Sequence, residues 1–521
     1  MKKNKTENKE LNKSLNLLAK SSVIVFIGIF LSKLLAYIYR IIIARYFGPE
    51  VYGIFSLALM IVGWFTIFSA LGLSEGIVRY ISLYRGEGNK NKIRYIFRYT
   101  LKFLVVSGII SGVLLFILAD FISVNIFRNI ELSVFLKFFS ISIPFSILSY
   151  IFLSYLRAYE EIGWYSFIYN IVQNATKVLF IALLIFIGLK SDSIIFSYVL
   201  GMVFMFLFSY FVCKYKLPEI FFPVKLSIQD KKIVSKKLLD YSIPIMFFGV
   251  VYIVFTWIDS FSIGFFKGAL EVGYYNAAVP IALLISLAPE LFFQLFFPLI
   301  TKEYSKKNLN IIKELSKQVA KWVFILNLPL FILIFLFPGA AINILFGPEY
   351  LVAIDALRIL SISTLFASVF LVSHQLVSMT GRSKLILLNI ILASLINIVL
   401  NYFLVPMQKI LFLENSTGIT GAALSTMISI IFLNTLFFLQ ARHYLSIVPL
   451  RRKMINIIVA AIIPTILLMY FRKLVEIKFL SLIILSVFFI LTYLVLIFLT
   501  RSLDKNDFLV LKSLNPLVLK K

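Results

Sequence analysis

Nearly uninterrupted apolar runs of about 20 residues, divided by short charged stretches, repeat along the whole chain. Each is as long as a helix must be to cross a bilayer. Read by that length, spans fall near 21–43, 53–74, 103–119, 138–156, 165–188, 194–213, 241–263, 274–298, 322–338, 359–379, 385–405, 419–440, 454–471 and 479–499. The pattern predicts an all-α polytopic membrane protein of about 14 transmembrane helices, because strand-built barrels would show roughly ten-residue alternating segments instead. The pattern is also written twice. LKFFSISIP at 136–144 returns as LRILSISTL at 357–365, and Glu50-Val51 returns at the same offset as Glu271-Val272. With a one-residue gap GIFSLA (53–58) aligns with GYYNAA (273–278), and the basic stretch Tyr84–Lys102 corresponds to Tyr304–Lys321. Anchors recurring in one order mark a duplication. The expected organisation is an N-terminal six-helix lobe at 1–215, a cytoplasmic linker at 216–240, a C-terminal six-helix lobe at 241–440, and two additional helices with a cytoplasmic tail at 441–521. Two similar bodies can rock about a substrate held near the midplane.

Composition agrees with a lipid solvent: 61% of residues are hydrophobic and 14% charged, too apolar for an ordinary soluble domain. The formal net charge of +27 first suggests a nucleic-acid partner. Topology accounts for it better. With a cytoplasmic N-terminus, 38 of the 51 Lys and Arg fall in cytoplasmic segments, 10 in external segments and 3 inside spans. That is the positive-inside bias, and these cations would lie against anionic headgroups rather than nucleic acid. An even number of spans returns the C-terminus to the cytoplasm, so a multi-pass protein of the cell membrane is expected. The first apolar run is too long for a signal peptide and lacks a small-residue cleavage site. Cys213 is the single cysteine, and His374 and His443 stand apart, so neither an intramolecular disulfide nor a metal site is expected. No phosphate-cradling glycine loop or nucleophile elbow is present, which leaves no cofactor and no enzyme active site in view.

The segment ARYFGPEVYGIFSLALMIV (44–62), continued by LGLSEGIVRYISLYRGEGNKNKIR (71–94), resembles the polysaccharide-biosynthesis or oligosaccharide-flippase branch of the multidrug/oligosaccharidyl-lipid/polysaccharide exporter superfamily. Span count and repeat agree over nearly the whole chain. The resemblance implies a two-lobed bundle that moves a polyprenyl-linked oligosaccharide from the cytoplasmic to the external leaflet. Its implied partners are that lipid, the surrounding membrane lipids and glycan-assembly enzymes. Gly48-Pro49 would make the same turn whatever is carried, so the segment marks the family and not the cargo.

Charges inside the spans supply an independent argument. Lys33 lies about 18 Å along the first span at 1.5 Å per residue, where a lysine costs about 2.5–3.5 kcal/mol unless paired or wet. Tyr37 and Arg40 continue its face. The fifth span carries Asn170, Gln173, Asn174 and Lys177 at helical spacing, a stripe that lipid would not favour. The matching span of the second half carries Asn389, Ser394, Asn397 and Asn401 and no cation. The predicted substrate-binding residues are therefore Lys33, Tyr37, Arg40, Asn170, Gln173, Asn174 and Lys177. Cations would hold a lipid phosphate while amides and tyrosines face its sugar. The bland reading is that the amides are interhelical glue, that Arg40 snorkels and that Lys33 sits in a static ion pair. Asp259 and Glu290 form an acidic counterpart, with Pro289 expected to bend the helix before Glu290, Gln294 one turn beyond it on the same face, and His374 added from the tenth span. They read either as a coupling or gating set that closes on Lys33 or Arg40, or as structural ion pairs.

Other classes fit less well. A multidrug cation antiporter would place acids where the first helix has Lys33 and Arg40, and a lipid II-type flippase differs mainly in cargo. A membrane glycosyltransferase needs acidic, metal-binding or large external-loop elements, whereas the external loops here are short. Buried charges on several helices argue against a passive scaffold.

Overall fold

The computed structural model describes residues 2–410, 413–474, 479–500 and 502–503. Side chains are described from residue 30 onward, apart from 288, 291, 294, 295, 473, 474 and 479. The tail cations Arg501, Lys505, Lys512, Lys520 and Lys521 lie outside the described residues. Contacts divide the chain into two compact units, Met1–Asn276 and Ala277–Lys521.

The first unit contains α1 (Lys2–Ala70), α2 (Leu73–Gly86), α3 (Lys90–Phe121), α4 (Ile130–Ser140), α5 (Ser142–Ala158), α6 (Ile162–Ser166), α7 (Gln173–Phe186), α8 (Asp192–Lys216), α9 (Ile228–Phe266) and the start of α10 (Ala269–Leu283). A π-helical segment, Phe167–Val172, joins α6 to α7. The second unit continues with α11 (Leu287–Ser305), α12 (Leu309–Leu336), α13 (Pro338–Leu345), α14 (Ile354–Met379), α15 (Ser383–Leu404), α16 (Ile419–Leu445), α17 (Lys453–Leu474) and α18 (Phe479–Leu499). Between α15 and α16 lies a minimal antiparallel hairpin of β1 (Lys409–Ile410) and β2 (Leu413–Glu414), with Lys409 opposite Glu414.

Among the described residues, 13 helical stretches are long and apolar enough to span a membrane. The first, Phe30–Gly86, is two crossings in one, because α1 breaks at Gly48 (φ 82°); counting both legs adds one and reaches the expected 14. The break is local chemistry. Gly48 takes a φ that other residues resist, and Pro49 behind it has the fixed φ of a first helical position. The same four residues, Phe-Gly-Pro-Glu, recur at 346–349 with Gly347 at φ 112°, and there too the proline opens a helical turn.

The duplicated stretches share one pattern of burial. Leu136, Ser140 and Ser142 are 0%, 3% and 0% exposed, and their counterparts Leu357, Ser361 and Ser363 are 0%, 0% and 1%. A serine in such a place turns its hydroxyl back on its own helix: Ser142 donates to the Phe139 carbonyl and Ser361 to the Leu357 carbonyl.

Two further repeat-related residues meet. A Cβ built on Gly53 would fall within the Ala269 carbonyl oxygen, and one on Gly273 within the Pro49 carbonyl oxygen. Each glycine thus faces the carbonyl four residues before the other, a reciprocal crossing only bare backbone allows. In the second unit α17 and α18 pack on α12: Phe324, Ile325 and Leu328 share a core with Ile457, Ala460 and Ile497. Tyr493 closes it by donating to the Ile325 carbonyl at 3.0 Å.

Basic residues concentrate in the connections at one end of the first unit, where they pair with acids: Lys90 with Glu219 at 2.9 Å and Lys216 with Glu161 at 3.8 Å. The Lys90 ammonium, hydrogen-bonded to Glu219, holds that carboxyl below the usual carboxylate range. Such exposed pairs contribute about 0–1 kcal/mol each.

Candidate functional site

On α1, Lys33, Tyr37 and Arg40 are all half-buried. Arg40 donates to the hydroxyl of Tyr52, itself fully buried and donating to the Asn276 carbonyl at 3.1 Å. The Asn276 amide donates in turn to Ser260 Oγ at 3.0 Å, which ties α10 to α9. Beside Arg40, Tyr39 shares a hydrogen bond with Ser197 at 3.0 Å and so fastens α1 to α8. The guanidinium is therefore positioned by a chain of neutral groups, each with its polar atoms satisfied, as a buried polar network requires.

The polar stripe of the fifth span divides. Asn174 reaches α1, donating to Ser32 Oγ at 3.0 Å, and buried Asn170 donates to Ser166 Oγ at 3.0 Å beside Gly28. Gln173 and Lys177 turn to α8 instead. Gln173 Nε2 lies 3.3 Å from Met202 Sδ, and Lys177 Nζ stands 5.5 Å from the centre of the Tyr198 ring. A tyrosine face attracts an ammonium, more so where water is scarce. Gly201 makes the room, because a Cβ there would stand 2.6 Å from Lys177 Cγ. Lys177 also feels the charge of Arg40, so two of the three predicted cations share one electrostatic neighbourhood. Like charges disfavour each other's charged form, and an anion bound beside them would relieve that repulsion.

Beyond Tyr198 opens a cavity of about 480 Å³, walled by the second leg of α1 and by α2, α5, the fifth span, α8 and α9. Tyr150, Tyr165, Tyr169 and Tyr198 line it. At its rim Arg157 grips Glu75 through two bonds, at 2.9 and 2.7 Å, and also donates to the Tyr165 hydroxyl. Sequence reasoning missed these tyrosines. The signal was present, since Ser146, Tyr150 and Ser154 follow at intervals of four along α5, as Tyr165 and Tyr169 do along the fifth span.

The predicted acids and the histidine fall elsewhere. Asp259, 6% exposed on α9, accepts the Tyr275 hydroxyl at 2.7 Å. The expected eighth span is two helices joined by a 3₁₀ turn at Leu284–Ser286, so Glu290 sits exposed in the first turn of α11. Pro289 does not bend a helix interior; it occupies a first-turn position whose N–H has no intrahelical acceptor. The Gln294 side chain lies outside the described residues. His374 on α14 packs edge-on against Phe437 at 4.7 Å. On α15, Asn389 exchanges hydrogen bonds with Gln440 of α16 at 2.7 and 2.9 Å.

The sequence profile described as polysaccharide biosynthesis protein matches residues 18–303, more than half of the chain. The chain belongs to this family. A second profile, MatE, matches residues 244–403, which places this polysaccharide-biosynthesis protein within the multidrug/oligosaccharidyl-lipid/polysaccharide exporter superfamily. Two of its relatives carry names of transport. The putative O-antigen transporter of Shigella flexneri is 25% identical over 404 residues, 75% of this chain and 89% of that protein. The probable low-salt glycan biosynthesis flippase Agl15 of Haloferax volcanii is 24% identical over 431 residues, 82% of this chain and 84% of that protein. In structure, the lipid II flippase MurJ in an inward closed conformation superposes with a TM-score of 0.72 at 18% identity, covering 92% of this chain and 99% of that one. At that identity the likeness speaks for the fold alone: an all-helical, multi-pass membrane bundle.

Proposed function

We propose that this polysaccharide-biosynthesis protein is a flippase for a polyprenyl-(di)phosphate-linked oligosaccharide, carrying it from the cytoplasmic to the external leaflet by alternating access between the duplicated halves. The observation that carries the reading is half-buried Lys177 with Arg40 in its field, packed against Tyr198, which lines a hydroxyl-rich cavity. A lipid-linked glycan presents an anion that hydrocarbon will not solvate, hydroxyls that need partners, and a tail that can stay in lipid. The relatives named for O-antigen transport and glycan flipping support this cargo class. Lys33, Tyr37 and Arg40 with Asn170, Gln173, Asn174 and Lys177 form the proposed cargo site. Asp259, Glu290, Gln294 and His374 are the proposed coupling or gating groups. An anion leaving a negative interior gains about 2.3 kcal/mol per charge per 100 mV, so the potential alone is a sufficient drive.

The protein is proposed to sit in the cell membrane with both termini cytoplasmic, which the positive-inside bias supports. Lys231→Cys should then label only after permeabilisation and Lys267→Cys from outside intact cells; the opposite result reverses the orientation. For transport, purified protein in liposomes should bring a fluorescent short-chain polyprenyl diphosphate oligosaccharide to the outer leaflet, read by quenching with an impermeant reductant. Cation-driven efflux of drugs with no lipid movement would assign the chain to the antiporters of its superfamily.

A further inference from the structure

We propose that the tyrosine-lined cavity is the subsite that reads the sugar of the cargo, through the ring faces of Tyr165 and Tyr169. The inference rests on the flippase reading and adds where the glycan lies. The two rings are 5.8 Å apart and within 6° of parallel, and Tyr150 turns the wall at 52° to Tyr169 and 6.4 Å from it. A pyranose has one face of C–H bonds and an equatorial fringe of hydroxyls. Aromatic faces are electron-rich and attract such C–H edges, so a near-parallel pair of rings offers a platform for consecutive sugar rings. Around it lie Ser154, whose hydroxyl can donate and accept, and Arg157, which donates. The volume of about 480 Å³ lies in the range of small-ligand pockets, about 300–1,000 Å³, and is large enough for a short glycan.

The backbone lines this platform up with the cations. Tyr165, Tyr169, Gln173 and Lys177 follow at intervals of four. In a regular α-helix each step of four overshoots a full turn by about 40°, so a row of this length would wind away from the cavity. The wider π turn at Phe167–Val172 sits in the middle of the row and winds it back. The outcome is visible in the contacts: the tyrosines line the cavity with Met202 and Tyr198, Gln173 touches Met202, and Lys177 lies against Tyr198. One helix face thereby presents sugar-facing rings, an amide and a phosphate-facing ammonium in order. Arg157 holds the first ring in place through its hydroxyl while itself clamped by Glu75.

The test compares two probes on nanodisc-embedded protein: bare polyprenyl phosphate, and the same lipid carrying N-acetylhexosamine. Wild type should bind the glycosylated lipid about tenfold more tightly, the worth of two ring contacts. Tyr165→Leu with Tyr169→Leu should reduce that preference to about twofold or less while binding of the bare lipid changes by less than about twofold. The matching Phe pair, which keeps both rings, should retain most of it, and so separates ring recognition from a folding defect. Preference persisting in the Leu pair, or equal loss of both probes, overturns the subsite. Equal binding of the two probes by wild type also overturns the subsite and leaves the flippase reading standing, whereas failure to bind either probe overturns both.

Discussion

Replacing Gly53 with alanine is expected to remove most folded protein from the membrane, and Gly273→Ala should do the same. The added methyl has no rotamer to choose and meets a backbone carbonyl oxygen in each case, that of Ala269 for Gly53 and that of Pro49 for Gly273. Relief therefore means parting the second leg of α1 from the start of α10, and with it the Tyr52 bond to the Asn276 carbonyl that positions Arg40. Overpacking alone typically costs about 1–3 kcal/mol, and the loss of the buried hydroxyl contact adds about 1–3 kcal/mol more. The sum is comparable with the whole stability of many domains. Gly86→Ala is the control, since nothing lies within 4 Å of a Cβ there and its backbone is helical. Fluorescence-detected size-exclusion and thermal melting in detergent would read the outcome. A Gly53→Ala protein that is monodisperse and melts within a few degrees of wild type would show that the two helices do not cross as described.

The second large effect is on transport. A protein with Lys33→Gln and Lys177→Gln should insert and fold yet flip the lipid-linked glycan at least about 100-fold more slowly. Hydrogen bonds to a charged partner contribute about 1.5–3 kcal/mol each, and both lost bonds would act on the phosphate that must leave headgroup water. Folding should suffer less, because Gln keeps the Cβ and Cγ methylenes of Lys177 that pack beside Gly201 and forfeits the outer methylenes with the ammonium contact to Tyr198, the latter about 0.5–2 kcal/mol. Neutralising a solvated cation such as Lys306, paired with Glu303 at 3.0 Å on the surface, should leave transport intact. Normal flipping in the double variant would sink the phosphate role of both lysines, and with it the cargo site proposed on α1 and the fifth span.

Much of this protein was legible in residue order because lipid imposes a strict local rule. Every backbone polar group must be satisfied within its own segment, so each crossing announces itself as a run of about 20 apolar residues, and the described helices follow those runs. The duplication was legible for a related reason. Positions such as Ser140-Ser142 and Ser361-Ser363 do the same job in the same packed environment, and therefore retained the same residues and the same burial. Gly48-Pro49 also betrayed its turn, since no other pair fits that φ followed by a helix start so readily.

The site was legible only in outline. A stripe of polar residues shows that one helix face avoids lipid, but not which neighbour it meets. Asn170, Gln173, Asn174 and Lys177 read as one face, yet Asn174 reaches Ser32, 142 residues away, while Gln173 reaches Met202 on the other side. The π turn that re-aims them depends on packing and has no fixed sequence mark. Gly53 and Gly273 align in the repeat, but only the fold brings their backbones together. What the sequence determined by itself was the set of crossings, the duplication and the presence of charged side chains within the spans. Only the tertiary structure decided which helices meet, that Arg40 and Lys177 share one neighbourhood, and that four tyrosines from α5, the fifth span and α8 enclose a cavity. Contacts between residues far apart in the chain depend on packing, whereas helical periodicity constrains only neighbours within a few turns.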